Sequence, residues 1–392
     1  MKHAALTGLL ATLLCLALLG CANRQAVTPL LADEAPAVVR QVAGGLTPAE
    51  QGLSSWNDLA PAIDASLDYV RSKAPEDIAV TQDDVAVTWA EVARALNRLR
   101  ALLPRLDANP GLLAEQFRWL RLNEGAHFSG YYEAEVKASR KPSEIYCHPL
   151  YRRPPDLHTV VLGDFTPELI GMRLVYRIHE SGGIVPYYSR SEIEEGVLKG
   201  QELAWVTSAL DAYFLQIQGS GRLRFEDGTV LSALYDGDNG RPYRSLGRRM
   251  VDEGLIPAEE ISMQSIRAWL GAHPDRQDEM LNYNPRYVFF RLRDEQLVGS
   301  IGRPLTPYVT LAVDRTTFPL GGALVYRTSL PQQAADGSRA QPRPITGIGL
   351  AQDTGGAIKY RRIDLFCGSG DRAAYEAGHL NVAGDVWLLL AR

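Results

Sequence analysis

The 392-residue chain is poor in the residues that build metal centres: four cysteines and seven histidines. No cluster of them has metal-ligand spacing, so neither a metal nor any other cofactor is expected. A basic excess is also missing. The formal charge is −5, which argues against a nucleic-acid partner, since that would need a basic face. Beyond the first twenty residues no apolar run is long enough to cross a bilayer, and there are no internal repeats or low-complexity tracts. What remains is ordinary for a folded body: 46% apolar, 22% charged, and long enough for two domains. Thirty-five glycines and twenty-three prolines among short alternating runs point to a turn-rich, largely β protein.

The N-terminus reads as a targeting segment. Met1-Lys2-His3 is a short cationic stretch, and Leu6 to Gly20 is apolar apart from Thr7 and Thr12. That length suits a signal peptide over 1–20 better than a membrane span. It ends in Leu18-Leu-Gly-Cys21, a pattern like the bacterial lipoprotein box, which makes Cys21 the lipidated first residue of the mature protein. Ala22 in place of an aspartate after it favours the outer membrane by analogy with lipoprotein sorting. The expected location is the periplasmic face of the outer membrane of a Gram-negative bacterium, reached through the lipid. Residues 21–45 carry no clear periodicity and read as a flexible tether. Cys147 and Cys367 are left, and spacing decides neither for a disulfide nor for two separate buried thiols.

Three helices are expected to open the mature fold. Thr47-Pro48-Ala-Glu50 and Thr88-Trp-Ala-Glu91 both read as capping boxes. Val92, Leu96, Leu99 and Leu103 share one helical face before Pro104 closes the run, and Asn109-Pro110 starts a third helix with Leu113, Phe117 and Leu120 as its stripe. Strand character begins at Phe128-Ser-Gly-Tyr-Tyr-Glu133. In Asp211-Ala-Tyr-Phe-Leu-Gln-Ile-Gln-Gly-Ser-Gly221, a strand reading puts Phe214, Gln216 and Gln218 on one face. That polar face suits hydrogen bonding to an oligosaccharide as well as it suits solvent. Ser262 to about Leu281 is expected to be helical, and Gln332–Arg343 a surface loop.

Three aspartates stand near the C-terminus. Asp314 ends the alternating run Val309-Thr-Leu-Ala-Val-Asp314; Asp353 and Asp364 each close a short apolar run. Aspartates at strand ends commonly cap turns. Three carboxylates gathered on one scaffold would instead push at least one proton affinity upward, as acid catalysis requires.

The ordered set V-A-V-D-R-T…P-L-G-G, A-Q-D-T-G-G-A-I-K and R-I-D-L-F-C-G-S-G resembles the three-aspartate domain of the membrane-bound lytic murein transglycosylase A family. Phe128–Glu133, Tyr213–Gly221 and Asn239-Gly-Arg-Pro-Tyr-Arg-Ser-Leu-Gly247 resemble the same family, so the likeness runs from about Phe128 to Trp387. It implies a mainly β fold with N-terminal helices: a double-psi β-barrel domain over 46–136 and 286–392, a second β-rich domain inserted at 137–285, and a substrate groove between them. The implied activity is that of a peptidoglycan lytic exotransglycosylase, a carbon–oxygen lyase that leaves 1,6-anhydromuramic ends. Asp364 would be the sole acid/base, supported by Asp353 and Asp314, with Ser129, Gly130, Tyr131, Gln216, Gln218 and Ser220 along the glycan. The implied partners are peptidoglycan strands and, through Cys21, the membrane; cell-wall synthesis or division proteins stay unspecified. Two other readings remain: a hydrolase using Asp364 and Asp353 as an acid and base pair, and an expansin-like lipoprotein that binds glycan without cutting it. The sequence departs from the family where Tyr360 replaces a glycine after A-I-K and where Cys367 replaces a larger residue.

Overall fold

The computed structural model describes residues 30–82 and 85–392. The expected signal peptide and Cys21 lie outside them.

Six strands close a barrel: β1 (Ala126–Ser139), β2 (Thr310–Ala312), β3 (Ala323–Gln333), β4 (Arg339–Asp353), β5 (Arg362–Ser369) and β6 (Asn381–Ala391). Around the barrel the order is β1–β6–β3–β4–β2–β5 and back to β1. The β4–β2 and β5–β1 pairings are parallel and the other four antiparallel. Closure leaves these strands without free edges, so their apolar faces can be buried all round. The interior is aliphatic and aromatic, with Phe128, Leu311, Val325, Tyr326, Ile348, Ile363 and Leu365 fully or almost fully buried.

The N-terminal segment packs onto this barrel and shares its core. Thr88 caps the helix Trp89–Leu106 as expected: the Glu91 N–H donates to Thr88 Oγ1 (3.3 Å) and Glu91 Oε2 accepts from the Thr88 N–H (2.8 Å). Other expectations fail here for packing reasons. The tether does not extend to residue 45. Leu31–Asp33 is a strand paired with Phe117–Leu122, and Pro36–Gly44 is a helix whose Val39, Val42 and Ala43 are buried at helical spacing. Thr47 caps nothing. Pro48–Gln51 is a single 3-10 turn, and the Glu50 carboxylate instead accepts the Thr346 N–H at 2.6 Å. Pro104 lies inside the helix, which runs on to Leu106, because Leu103 and Leu106 are both fully buried. The third helix is only Leu112–Gln116; Phe117 and Leu120 belong to the strand Phe117–Leu122, which pairs with β6.

β1 is shared by both halves of the molecule. Its barrel partners end at Glu133, opposite Ser369, and its next residue, Ala134, pairs with Gly221 in a second sheet. That sheet also contains His148–Tyr151, Glu202–Val206, Val230–Asp238 and Val288–Arg293, and it has its own core around Leu150, Leu215, Leu223 and Phe290. Asp211–Gly221 is not a strand. Ser208 Oγ caps a helix, Ala209–Gln218, by accepting the N–H groups of Leu210 and Asp211, and the helix-forming Ala209, Leu210, Ala212 and Leu215 carry it to Gly219. The span from Ser262 to Leu281 is two helices, Met263–Ala272 and Gln277–Asn282, separated at Pro274. Gln332–Arg343 is no loop either: the β3–β4 ladder continues to Gln333 opposite Arg339, leaving only 334–338 as the turn. Cys147 is exposed and Cys367 buried, and both are free thiols.

Candidate active site

A cavity of about 730 Å³ opens between the barrel and the inserted sheet. The barrel wall supplies Ser129, Gly130 and Tyr131 from β1, together with Asp314, Asp353 and Asp364. The opposite wall supplies Gln216, Gln218 and Ser220 from the end of the helix Ala209–Gln218 and the turn after it. All nine residues singled out in the sequence for the groove therefore meet there, although the two glutamines reach it from a helix end and not from a strand face.

The three aspartates occupy different environments. Asp364 is the third residue of β5, opposite Ser129 of β1 and Ala312 of β2. Its Oδ1 is buried with no hydrogen-bond partner. Burial pushes its proton affinity up to about 6, and the nearby Asp353 charge acts the same way; the Ser129 hydroxyl and the Arg362 cation draw it back only partly. Asp353, at the end of β4, is saturated with donors. Its Oδ1 accepts the Ser300 N–H (2.9 Å), the Ser300 hydroxyl (2.8 Å) and the Thr354 N–H (2.8 Å), and its Oδ2 accepts the Tyr131 hydroxyl (2.9 Å). Burial still leaves its affinity raised. Asp314 goes the other way. Burial alone would raise it, but the N–H groups of Thr316 (3.0 Å) and Tyr360 (2.8 Å), the Thr316 hydroxyl (2.8 Å) and the charge of Lys359 hold it below the usual carboxylate range. One aspartate is thus a raised acid with a bare oxygen, one is a clamp, and one ties down the loop that joins the other two.

The groove residues on β1 are partly committed. The Tyr131 hydroxyl is held by Asp353 and its ring packs on Phe366 (5.2 Å between centroids). Ser129 Oγ accepts from Arg362 Nε at 3.1 Å. A Cβ on Gly130 would lie 2.8 Å from Ala377 Cα, so the absence of a side chain there lets the helix Gly370–His379 lie on β1.

Several members of the site escape a reading of the sequence. Arg190 is 2% exposed and donates to Gln216 Oε1 and to the carbonyls of Asn284 (3.1 Å) and Arg286 (2.8 Å), which fixes Gln216 but leaves its Nε2 without a partner. Arg286, anchored by Asp238 (2.9 Å), crosses to the D-T-G-G turn. A Cβ on Gly356 would lie 2.9 Å from its Nη1, which accounts for the second glycine of that motif. Ser300 holds Asp353 from 53 residues away. Each depends on contacts between distant segments, and no local pattern announces it.

Comparisons with known proteins agree with this architecture. The family model described as the MltA specific insert domain matches residues 127–291, and the 3D domain matches 309–390. The membrane-bound lytic murein transglycosylase A of Escherichia coli K12 is 30% identical over 330 residues, covering 77% of this chain and 82% of that protein. The Vibrio cholerae protein of the same name is 30% identical over 267 residues, and the match spans 67% of this chain but only 64% of the relative. Among solved structures, the membrane-bound lytic murein transglycosylase of Agrobacterium tumefaciens superposes with a TM-score of 0.71 at 30% identity, covering 86% of this chain and 92% of that one. E. coli MltA with bound chitohexaose gives 0.65 at 25% identity, covering 85% and 90%.

A closed barrel with a sheet domain inserted through its first strand, and an aspartate-lined groove between the two, defines the class: the barrel-type lytic transglycosylases of peptidoglycan. The chain belongs to the membrane-bound lytic murein transglycosylase A family.

Proposed function

We propose that this protein cleaves the β-1,4 bond between N-acetylmuramic acid and N-acetylglucosamine in peptidoglycan, using Asp364 first as acid and then as base. The observation that carries the reading is the bare, buried Oδ1 of Asp364 in the groove, with a proton affinity near 6. Such a group is present in both protonation states close to neutral pH, as an acid that must become a base requires. Protonated Asp364 gives its proton to the glycosidic oxygen as the bond to the muramic C1 breaks. The carboxylate then takes the proton of the C6 hydroxyl on the same sugar as that oxygen closes onto C1. Water does not enter, and the product ends in 1,6-anhydromuramic acid. Intramolecular attack replaces a second catalytic group, because holding the nucleophile in place is worth roughly 7–11 kcal/mol.

The state of Asp353 supports this over a two-carboxylate hydrolase. An activating base needs a lone pair aimed at water, and four donors already converge on Asp353. Its role here is to hold Tyr131 and the D-T-G-G turn and to keep Asp364 protonated. Ser129, Ser220, Gln218 and the buried, unpartnered Nε2 of Gln216 offer hydrogen bonds to the glycan, in keeping with the chitohexaose bound by the E. coli relative. The domain division follows the same reading, with the barrel (46–136 and 286–392) carrying the acid and the insert (137–285) the second wall. Lipid on Cys21 would hold the body at the periplasmic face of the outer membrane. Leu31, which starts the first described strand, follows Cys21 by ten residues, so the chain between them can span at most about 35 Å.

The deciding measurement is mass spectrometry of soluble products from purified sacculi, with the protein lacking residues 1–21 and its Asp364→Asn variant. Anhydro muropeptides that vanish with the variant are expected. Hydrated products would mean a hydrolase, and sacculus binding without any product would leave the non-cutting reading.

A further inference from the structure

The cations of the groove fall into two sets. Arg173 and Arg286 both pair with Asp238, Arg291 pairs with Asp236 (3.1 Å), and Arg190 lies 3.6 Å from Glu194. Each of those cations has a carboxylate partner within the protein, with Arg173 and Arg286 sharing one. Arg315, Lys359 and Arg362 also line the cavity, are exposed, and among the described residues none of them lies within ion-pair distance of a carboxylate. Arg362 acts on the charge of Asp364, and Lys359 on that of Asp314. Arg362 precedes Asp364 by two residues in β5, so both side chains leave the same face, with Cα atoms ~7 Å apart. Its Nε donates to Ser129 Oγ, which fixes one side of the guanidinium at the cavity wall. Lys359 and Arg315 come from the two segments on either side of Asp314, the loop before β5 and the turn after β2.

Asp314 and Asp364 share the cleft and feel the charges of Lys359 and Arg362, but among the described residues no ion pair takes up any of the three cations, so an added anion is favoured there. Nothing in a neutral amino-sugar polymer supplies one. Muramic acid does: its C3 ether carries a lactyl carboxylate, either free or extended into a peptide with carboxylates of its own. We propose that Arg315, Lys359 and Arg362 form a carboxylate subsite that receives the C3 substituent of the muramic residue held over Asp364. The subsite rests on the glycan reading of the groove and gives that reading a means of telling muramic acid from N-acetylglucosamine. It also sets register along the strand, because only every second sugar bears the anion, so every productive placement puts a muramic C1 beside the acid.

The test separates the subsite from the groove. In an Asp364→Asn background, which prevents turnover, binding is measured by calorimetry for three ligands: amidase-denuded glycan strands with free lactyl carboxylates, peptide-bearing strands, and neutral chitohexaose. The measurement is repeated with Arg315→Gln and Lys359→Gln together, at low and high salt. The expected result is a loss of about tenfold in affinity for a carboxylate-bearing strand, of the size of a lost charge-assisted contact, with chitohexaose binding unchanged. The loss should shrink in high salt. A loss confined to denuded strands assigns the lactyl carboxylate, and one confined to peptide-bearing strands assigns the stem. An equal loss on chitohexaose, or none on any ligand, overturns the subsite. Failure of the parent protein to bind chitohexaose at all overturns the glycan reading beneath it.

Discussion

Asp353 and Asp364 face the same residue: each is the register partner of Ala312, one on either side of β2. With strands about 4.8 Å apart, their Cα atoms sit ~10 Å from one another across the smallest chiral side chain. The small residue leaves the space between the two carboxylates open to the groove, which Ala312 also lines. If Asp364 alone moves protons, Asp364→Asn should lower turnover by about a thousandfold or more while the circular dichroism spectrum and the binding of chitohexaose persist. Residual turnover within tenfold of the parent would remove Asp364 from the role of acid.

The same aspartate should make the protein less stable at neutral pH. Its proton affinity is about 6 in the folded protein against 3.8 unfolded, so the native state holds the proton more tightly. Stability from this group is then greatest below pH 4, falls as pH rises from 3.8 to about 6, and stays level above. The cost at pH 7 is up to about 3 kcal/mol. Asp364→Asn should therefore be more resistant to urea than the parent at pH 7 and indistinguishable from it at pH 4. In the parent, kcat/KM should decline as pH rises through about 6, as the acid form is lost.

Asp353 is expected to act on the reaction through its neighbours. Asp353→Asn keeps the size of the clamp but removes a negative charge that raises the affinity of Asp364. The alkaline limb of the pH profile should move to lower pH, with turnover reduced about tenfold and not abolished. Asp353→Ala should cost roughly 2–4 kcal/mol of stability, because it strands the Tyr131 hydroxyl and the Ser300 N–H and leaves the Ser300 hydroxyl and the Thr354 N–H only each other and the Thr354 hydroxyl. Loss of activity in the Asn variant equal to that of Asp364→Asn would instead make Asp353 a second proton-transfer group.

What could be read in advance was whatever short segments carry by themselves. The three aspartate motifs, the Thr88 capping box and the nine groove residues are local features. The helix Ala209–Gln218 is hidden in the sequence because Leu215 to Gln218 alternates apolar and polar residues, a pattern that suits a strand. In the structure Ser208 caps the helix and Gly219, in the left-handed region, ends it. The ladder that turns 332–343 into a hairpin was hidden because an exposed edge carries no apolar signature. Arg190, Arg286 and Ser300 gain their meaning from partners 26 to 94 residues away and beyond. The change of sheet between Glu133 and Ala134 leaves β1 looking like any long strand.

Tyr360 shows what a departure from the family pattern means physically. Its φ is +53°, in the left-handed region, where a Cβ is crowded by the backbone and glycine is favoured. Its side chain is 73% exposed, while its N–H makes the 2.8 Å bond to Asp314 that ties down the loop between Asp353 and Asp364. The loop needs the backbone group, which glycine would also provide. Relief of the left-handed strain, less the extra flexibility glycine gives the unfolded chain, should make Tyr360→Gly more stable by about 1 kcal/mol. Urea unfolding followed by the buried Trp119 and Trp387 would report it. Turnover should stay within twofold of the parent. Asp314→Ala is the contrasting case: it removes the acceptor for Tyr360 and Thr316 together and should cost roughly 2–3 kcal/mol. It should also weaken turnover by loosening the segment that carries Lys359 and Arg362. If Tyr360→Gly lost turnover at unchanged stability, the exposed ring would be touching substrate, and its left-handed placement would have a function of its own.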